Sequence, residues 1–220
     1  MLPDRVIERL IVYRRLLGDW QSARRERIYS HELAALAGVT PALVRRDIMA
    51  VQYIGSPAKG YDVKELATKI GELLRSSTGG VVALVGIGHL GQALMAYFSR
   101  GHNQPTAVAA FDIDPAKVNR VLHGCHCHPL SDLEDVVRRE GIRVAILAVP
   151  APAAQEVADR LVDAGIAGIL NFAPVHLNVP ASIYVESVDI AILLEKVAFF
   201  ARSEREQQGV VAWPQTMQAW

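Results

Sequence analysis

The chain has 220 residues, enough for one large domain or two small ones, and its 51% apolar and 21% charged content is ordinary for a globular protein. The N-terminus MLPDRVIERL lacks the apolar stretch of a secretory leader, and no run approaches the ~18 apolar residues of a membrane span. Two cysteines one residue apart cannot staple a long loop, which excludes a disulfide scaffold and leaves a reducing cytoplasm as the expected compartment.

Net charge is zero but unevenly spread. Residues 1–75 carry 13 Lys and Arg against 9 Asp and Glu, whereas 76–220 carry 10 against 14. A basic front and an acidic rear suggest two modules with different partners.

In chain order, RVIERLIVYRRLL predicts an amphipathic helix with Val6, Leu10, Tyr13 and Leu17 three and four apart. SHELAALAG predicts a short helix with Ser30 as N-cap and Gly38 as its stop. TPALVRRDIMAVQYIG predicts a third helix, capped by Thr40 with Pro41 at its first position. Its apolar stripe is Val44, Ile48 and Val51; its other face carries Ala42, Arg45, Arg46 and Met49. Two short helices split by a glycine, the second with arginines outward, form a helix-turn-helix pattern. GSPAKGYDV then predicts a tight hairpin with Lys59 near its tip, the wing of such a module, and KELATKIGELLRSS closes it as a helix. SSTGG is the expected linker.

From Val81 the pattern changes. VVALV, TAVAAF, RVAILAV, GILNF and SIYVESV are apolar strand candidates. HLGQALMAYFSR, the PAKVNRVL segment and AAQEVADRLVDAG supply the intervening elements. Nearly all-apolar strands alternating with helices predict a parallel sheet covered on both faces. A final helix is expected from about Asp189 to Glu206.

VGIGHLGQAL places Gly86, Gly88 and Gly91 in GxGxxG spacing between a strand and a helix. The first glycine permits the tight turn, the second lets backbone approach a pyrophosphate, and the third lets helix and strand pack closely. The helix N-terminus offers free N–H groups to the phosphates. Asp112 ends the next strand 21 residues after Gly91, where a carboxylate accepts the adenosine ribose hydroxyls. It repels a 2′-phosphate, and no arginine follows immediately, so NAD(H) is favoured over NADP(H). A glycine turn without a ligand is the bland alternative.

No constellation of acid, base and substrate pocket accompanies the loop. His89 lies within it and faces solvent or a phosphate; His102 and His176 sit in loops without partners, and Lys117 and Lys196 fall on expected helices. The enzyme reading, an NAD-dependent dehydrogenase with an accessory helical domain, therefore lacks catalytic residues. A nucleotide- or coenzyme A-binding regulator that does not touch DNA is a third reading.

RLIVYRRLL, VRRD…YIGSPAKGYDV, VGIGHLGQAL, AAFDIDPAKV, AILAVP, AGIAGILNFAP and VESVDI run in order over about residues 3–206. As a set they resemble the Rex family of redox-sensing transcriptional repressors. The resemblance implies an N-terminal winged helix-turn-helix (residues 1–76) and a C-terminal Rossmann-like, doubly wound parallel sheet (81–188). It further implies a C-terminal helix (189–206) exchanged between subunits of a homodimer, before a tail (207–220). It implies a protein that binds an inverted-repeat operator and releases it when NADH rises, with NAD+ competing. No catalytic residue, metal or membrane is expected.

By the same resemblance, Arg45, Arg46 and Met49 of the recognition helix and Lys59 of the wing would contact DNA. The cofactor site would take in Gly86, Ile87, Gly88, His89, Leu90, Gly91 and Asp112. Val149, Pro150 and Asn171 would join it from later strand ends. Tyr97 would lie near cofactor and dimer interface, and Arg15 and Asp189 would link the DNA-binding domain to the exchanged helix. Where family members carry Phe beside the partner's nicotinamide, this chain has Ile190.

HGCHCHP holds both cysteines and three of the seven histidines. On a strand, His123, Cys125 and Cys127 would share one face, with His126 and His128 on the other. Neither face offers four ligands, and C-x-C lacks zinc-site spacing. The third Rossmann strand with incidental thiols is expected.

Overall fold

The computed structural model describes residues 2–56, 58–74, 81–98 and 106–207. The predicted linker and the tail after 207 lie outside them. The chain forms two compact units, residues 1–79 and 80–220.

The first unit contains α1 (Asp4–Ser22), β1 (Arg27–Ile28), α2 (Ser30–Ala37), α3 (Pro41–Ala50), β2 (Tyr61–Asp62) and α4 (Val63–Leu73). Leu10, Tyr13 and Leu17 of α1 are fully buried against Leu33, Val44, Ile48, Leu66 and Ile70. Gly38 ends α2 in the left-handed region (φ +65°), and the Thr40 hydroxyl accepts the N–H of Leu43 above Pro41. Ser30, expected as a cap, is instead the first residue of α2. Glu32 satisfies the Tyr29 N–H at 2.8 Å, and the Ser30 hydroxyl accepts from Arg45.

The tight turn expected of the wing closes between Ser56 and Gly60, which exchange backbone hydrogen bonds at 3.0 and 2.7 Å with Lys59 in the turn, while β2 pairs antiparallel with β1, which precedes α2. Gly60 sits at φ +69°, where an added Cβ would press on the Ile28 carbonyl at 2.6 Å. Tyr29 donates its hydroxyl to Ala58 O at 3.0 Å, tying the wing loop to α2.

Within the buried stripe of α3 lies a carboxylate. Asp47 is 1% exposed and takes a two-pronged guanidinium from Arg9 (2.6 and 2.8 Å) and the Tyr13 hydroxyl (2.9 Å). Burial, then Asp47, pushes the Tyr13 phenol well above its usual range. These bonds clamp α3 to α1.

The second unit contains β3 (Val81–Val85), α5 (His89–Phe98), β4 (Thr106–Asp112), β5 (Arg120–Leu122) and β6 (Cys125–Pro129). They are followed by α6 (Leu133–Glu140), β7 (Val144–Leu147), α7 (Ala151–Asp163), β8 (Gly168–Asn171), β9 (Tyr184–Ser187) and α8 (Ile190–Gln207). Strand order is β5-β6-β4-β3-β7-β8-β9, parallel except for the β5–β6 pair. Alternate residues feed two cores: Val85, Phe111 and Leu147 on one face, Leu84, Ala110 and Ile146 on the other. The order reverses between β3 and β7, which makes their carboxyl ends the crevice where such sheets take ligands.

PAKVNRVL, read as helical, forms a turn and then β5. The Asp114 carboxylate accepts the Ala116 N–H, Asn119 adopts φ +58°, and its N–H bonds Cys127 O at 2.7 Å. His123 and Gly124, both at positive φ, make the hairpin turn into β6. His123 is therefore in a turn and does not share the cysteines' face.

Replacing Asp47 by Ala leaves a guanidinium and a phenol without their acceptor. Removing one partner of a buried pair costs about 3–5 kcal/mol, and chemical denaturation of the first unit's transition is expected to show a loss of that order.

Candidate functional site

At Gly86 the chain leaves β3 with φ +94°, and an added Cβ would meet Ala148 O at 2.5 Å and Val149 Cγ1 at 3.0 Å. The glycine thus lets the loop after β7 close against the turn, which brings Val149 and Pro150 beside it. Gly91, in the first turn of α5, lies so close to the Gly86 carbonyl that a Cβ there would overlap it. Nothing stands within 4 Å of a Cβ on Gly88. Two glycines are demanded by backbone packing; the third faces an open cradle at a helix N-terminus, the arrangement that receives a pyrophosphate. His89 and Leu90 flank it, exposed, while Ile87 is buried.

Asp112 completes the cradle from the end of β4. Its Oδ2 accepts the Ile87 N–H at 2.7 Å and Lys117 Nζ at 3.3 Å; its Oδ1 accepts the Asp114 N–H at 2.8 Å. The acid expected to receive ribose hydroxyls also holds the glycine loop in place. Lys117, expected on a helix, stands instead after the Asp114 turn, between two carboxylates. The sequence reading missed its position because it placed a helix there.

Asn171, at the end of β8, is fully buried. Its amide donates to Val175 O (2.9 Å) and Ser187 Oγ (3.4 Å), and its carbonyl accepts the Ala173 N–H (2.9 Å), so it braces the segment after β8 against the end of β9. Tyr97 lies exposed on α5, edge-on to Phe98 at 5.3 Å. Asp189 caps α8, accepting the N–H groups of Ala191 and Ile192 at 2.9 and 3.1 Å. Ile190 opens that helix, and with Ile192, Leu194, Val197 and Phe199 it is 58–67% exposed.

On the first unit, Arg45, Arg46 and Met49 are exposed together on α3, and Lys59 is exposed on the wing loop. Arg45 donates to Ser30 Oγ at 3.1 Å, which fixes its direction. A cleft of about 410 Å³ between α3 and the wing is lined by Arg45, Met49, Tyr53, Ile54 and Tyr61. Ile54, 92% exposed at its rim, had no sequence signal, since it continues the apolar run of α3. Arg15 is exposed on α1.

Cys125 and Cys127 are buried, unpaired thiols in the core beneath α5. Burial, with Asp112 adding repulsion, pushes Cys127 up to about 11, and burial also raises Cys125. His126 and His128 project together from the other face with rings 4.3 Å apart. Among the described residues no group of three or more His, Cys, Asp or Glu is placed to hold a metal, and no helix is long and apolar enough to cross a membrane.

Residues 78–175 match the family model "CoA binding domain", and residues 1–48 match "Putative DNA-binding protein N-terminus". The redox-sensing transcriptional repressor Rex of Geobacillus sp. (strain WCH70) is 40% identical over 90% of this chain and 92% of its own length. That of Listeria welshimeri is 37% identical over 90% and 93%. Among solved structures, RSP, a Rex-family repressor, in complex with β-NAD+ and operator DNA matches at TM-score 0.85 with 31% identity, over 96% of this chain and 99% of that one. RSP in complex with β-NADH matches at 0.80, over 95% and 98%.

Fold and site together define a winged-helix regulator with a Rossmann sensor unit. The chain belongs to the Rex family of redox-sensing transcriptional repressors, a family of regulators and not of enzymes.

The two glycine environments separate folding from binding. Gly91→Ala is expected to lower thermal stability and abolish dinucleotide binding, because its methyl meets backbone. Gly88→Ala is expected to keep the melting temperature and still weaken binding at least about tenfold, because its methyl occupies the open cradle; calorimetry and titration check both. The thiols give a pH expectation. A thiol whose folded pKa lies above its unfolded value holds its stabilising contribution below about 9 and loses it as pH rises toward about 11. Native protein is expected to react with a thiol reagent at pH 8 only as fast as it unfolds.

Proposed function

We propose that two copies of the chain bind an inverted-repeat operator and release it when NADH rises relative to NAD+, in the cytoplasm. The observation that carries this is the cradle at residues 86–91, open at Gly88 and held by Asp112, in a chain that also presents an arginine-bearing recognition helix. RSP, of the same family, has been captured with NAD+ and operator DNA and separately with NADH.

In this reading Arg45, Arg46 and Met49 meet the major groove and Lys59 meets phosphate or minor groove. Gly86 to Gly91 receive the pyrophosphate, Asp112 the adenosine ribose, and Val149 and Pro150 flank the nicotinamide side. Asn171 braces that side from within. When bound, the cofactor supplies only its redox state as a signal.

The apolar face of α8 supports the homodimer. A helix this exposed and this apolar seeks a partner, and a second copy supplies one when α8 passes across to it. Asp189 then fixes where α8 begins, Ile190 approaches the partner's cofactor near Tyr97, and Arg15 answers Asp189 in one of the two states. A ligand shifts such a dimer only through unequal affinity for its two arrangements. NADH favours the one in which the paired recognition helices leave the spacing that matches successive turns of DNA.

Adding NADH to the protein bound to its own promoter DNA is expected to displace it, with NAD+ much less effective. Retained DNA with NADH demonstrably bound rules the switch out. Arg46→Ala is expected to weaken operator binding about tenfold or more, a value within the range for lost base or phosphate contacts, while NADH affinity stays unchanged. Leu194→Glu with Val197→Glu is expected to give a monomer by light scattering; a persistent dimer removes α8 from the interface.

A further inference from the structure

The ribose end of the cradle contains more than the acid that the glycine motif requires. A carboxylate has about four acceptor sites, and Asp112 commits three of them inside the protein, to Ile87 N–H, Asp114 N–H and Lys117. Lys117 Nζ stands 3.3 Å from Asp112 Oδ2 and 3.3 Å from Asp114 Oδ2. Its side chain is 28% exposed, so the ammonium still reaches the surface. An acceptor with one site left, beside an ammonium with a third N–H, is the complement of a hydroxyl, which donates once and accepts once.

Charge decides what else fits. Asp112 and Asp114 contribute two negative charges and Lys117 one positive, a local sum of −1. A phosphate monoester brings about −1.5 to −2 more. A lysine near the ribose would ordinarily welcome that group, yet here its charge is already shared between two carboxylates.

We propose that Asp114, by occupying Lys117, bars dinucleotides carrying a 2′-phosphate, and that Asp112 and Lys117 together receive the unphosphorylated ribose. The proposal rests on the dinucleotide reading above and names the residues that restrict it to NAD(H). Burial disfavours the Lys117 ammonium, but hydrogen bonds from it to the two carboxylates outweigh that and raise its pKa. The Asp114 carboxyl is held low, first by the Ala116 N–H and then, against a burial cost, by Lys117 and more distant Arg120.

Asp114→Asn isolates the charge. The amide oxygen still accepts the Ala116 N–H that builds the turn, while the ion pair to Lys117 is lost. Asp114 is 41% exposed, so the exchange leaves the fold intact. Calorimetric titration of the full chain with NADH and with NADPH is expected to show NADPH affinity rising about tenfold relative to NADH, the size of one charge acting at partly solvated contact distance. Asp114→Asn with Lys117→Met is expected to lose that gain, and Lys117→Met alone to weaken NADH severalfold. An unchanged NADH-to-NADPH ratio in Asp114→Asn, or a gain that survives loss of Lys117, overturns the proposal. If the unaltered protein binds neither dinucleotide, the dinucleotide reading itself fails and this proposal with it.

Discussion

The hydrogen bond from Ile87 N–H to Asp112 extends the β3–β4 pairing, which ends at Gly86 N–H to Phe111 O, by one step into the glycine loop and fixes the loop to the sheet. That bond acts with the packing of Ile87 into the core beneath α5 to leave Gly88 turned outward at the mouth of the helix. Gly86 must adopt positive φ to let Ala148 approach, and Gly91 must lack a side chain to lie under the Gly86 carbonyl. Once those conditions hold, the N–H groups at the start of α5 point into open space, and an anion is the natural occupant. In the proposed reading, one carboxylate serves the fold and the ligand at the same time.

The DNA-binding unit repeats this economy with another buried acid. Asp47 faces inward from α3, and Arg9 and Tyr13 hold it to α1. In the proposed DNA-reading role α3 needs a fixed azimuth, since a rotation of one residue would turn Arg45 and Arg46 away from the groove. Arg45 is further aimed by Ser30. A switch that repositions this unit, as proposed for two paired copies, would move these side chains as a rigid set, so that a modest change in geometry would become a loss of operator affinity.

Much of this was legible in the sequence where the physics is local. Apolar residues three and four apart located α1, α3 and α7, and the glycine spacing after VVALV located the cradle. Thr40, Pro41 and Gly38 marked helix ends by backbone chemistry alone. What escaped notice depends on partners far along the chain. The two-residue β1 pairs with β2 across 33 and 35 positions, and Asp47 meets Arg9 across 38, so neither shows a periodic signal. β5 escaped because the Asp114 turn and the positive φ of Asn119 override the helical look of PAKVNRVL, and that error hid Lys117. HGCHCHP was legible as a strand with incidental thiols, and only the face given to His123 was wrong, because that residue makes the hairpin turn.

Two modules on one chain make a sensor only if binding at one alters binding at the other, and that coupling is reciprocal by thermodynamic necessity. The most direct test is the NADH dissociation constant measured twice, on free protein and on protein saturated with operator. The account requires NADH to bind the operator complex more weakly, by the same factor by which NADH weakens the operator. Equal NADH affinity in both states would contradict it.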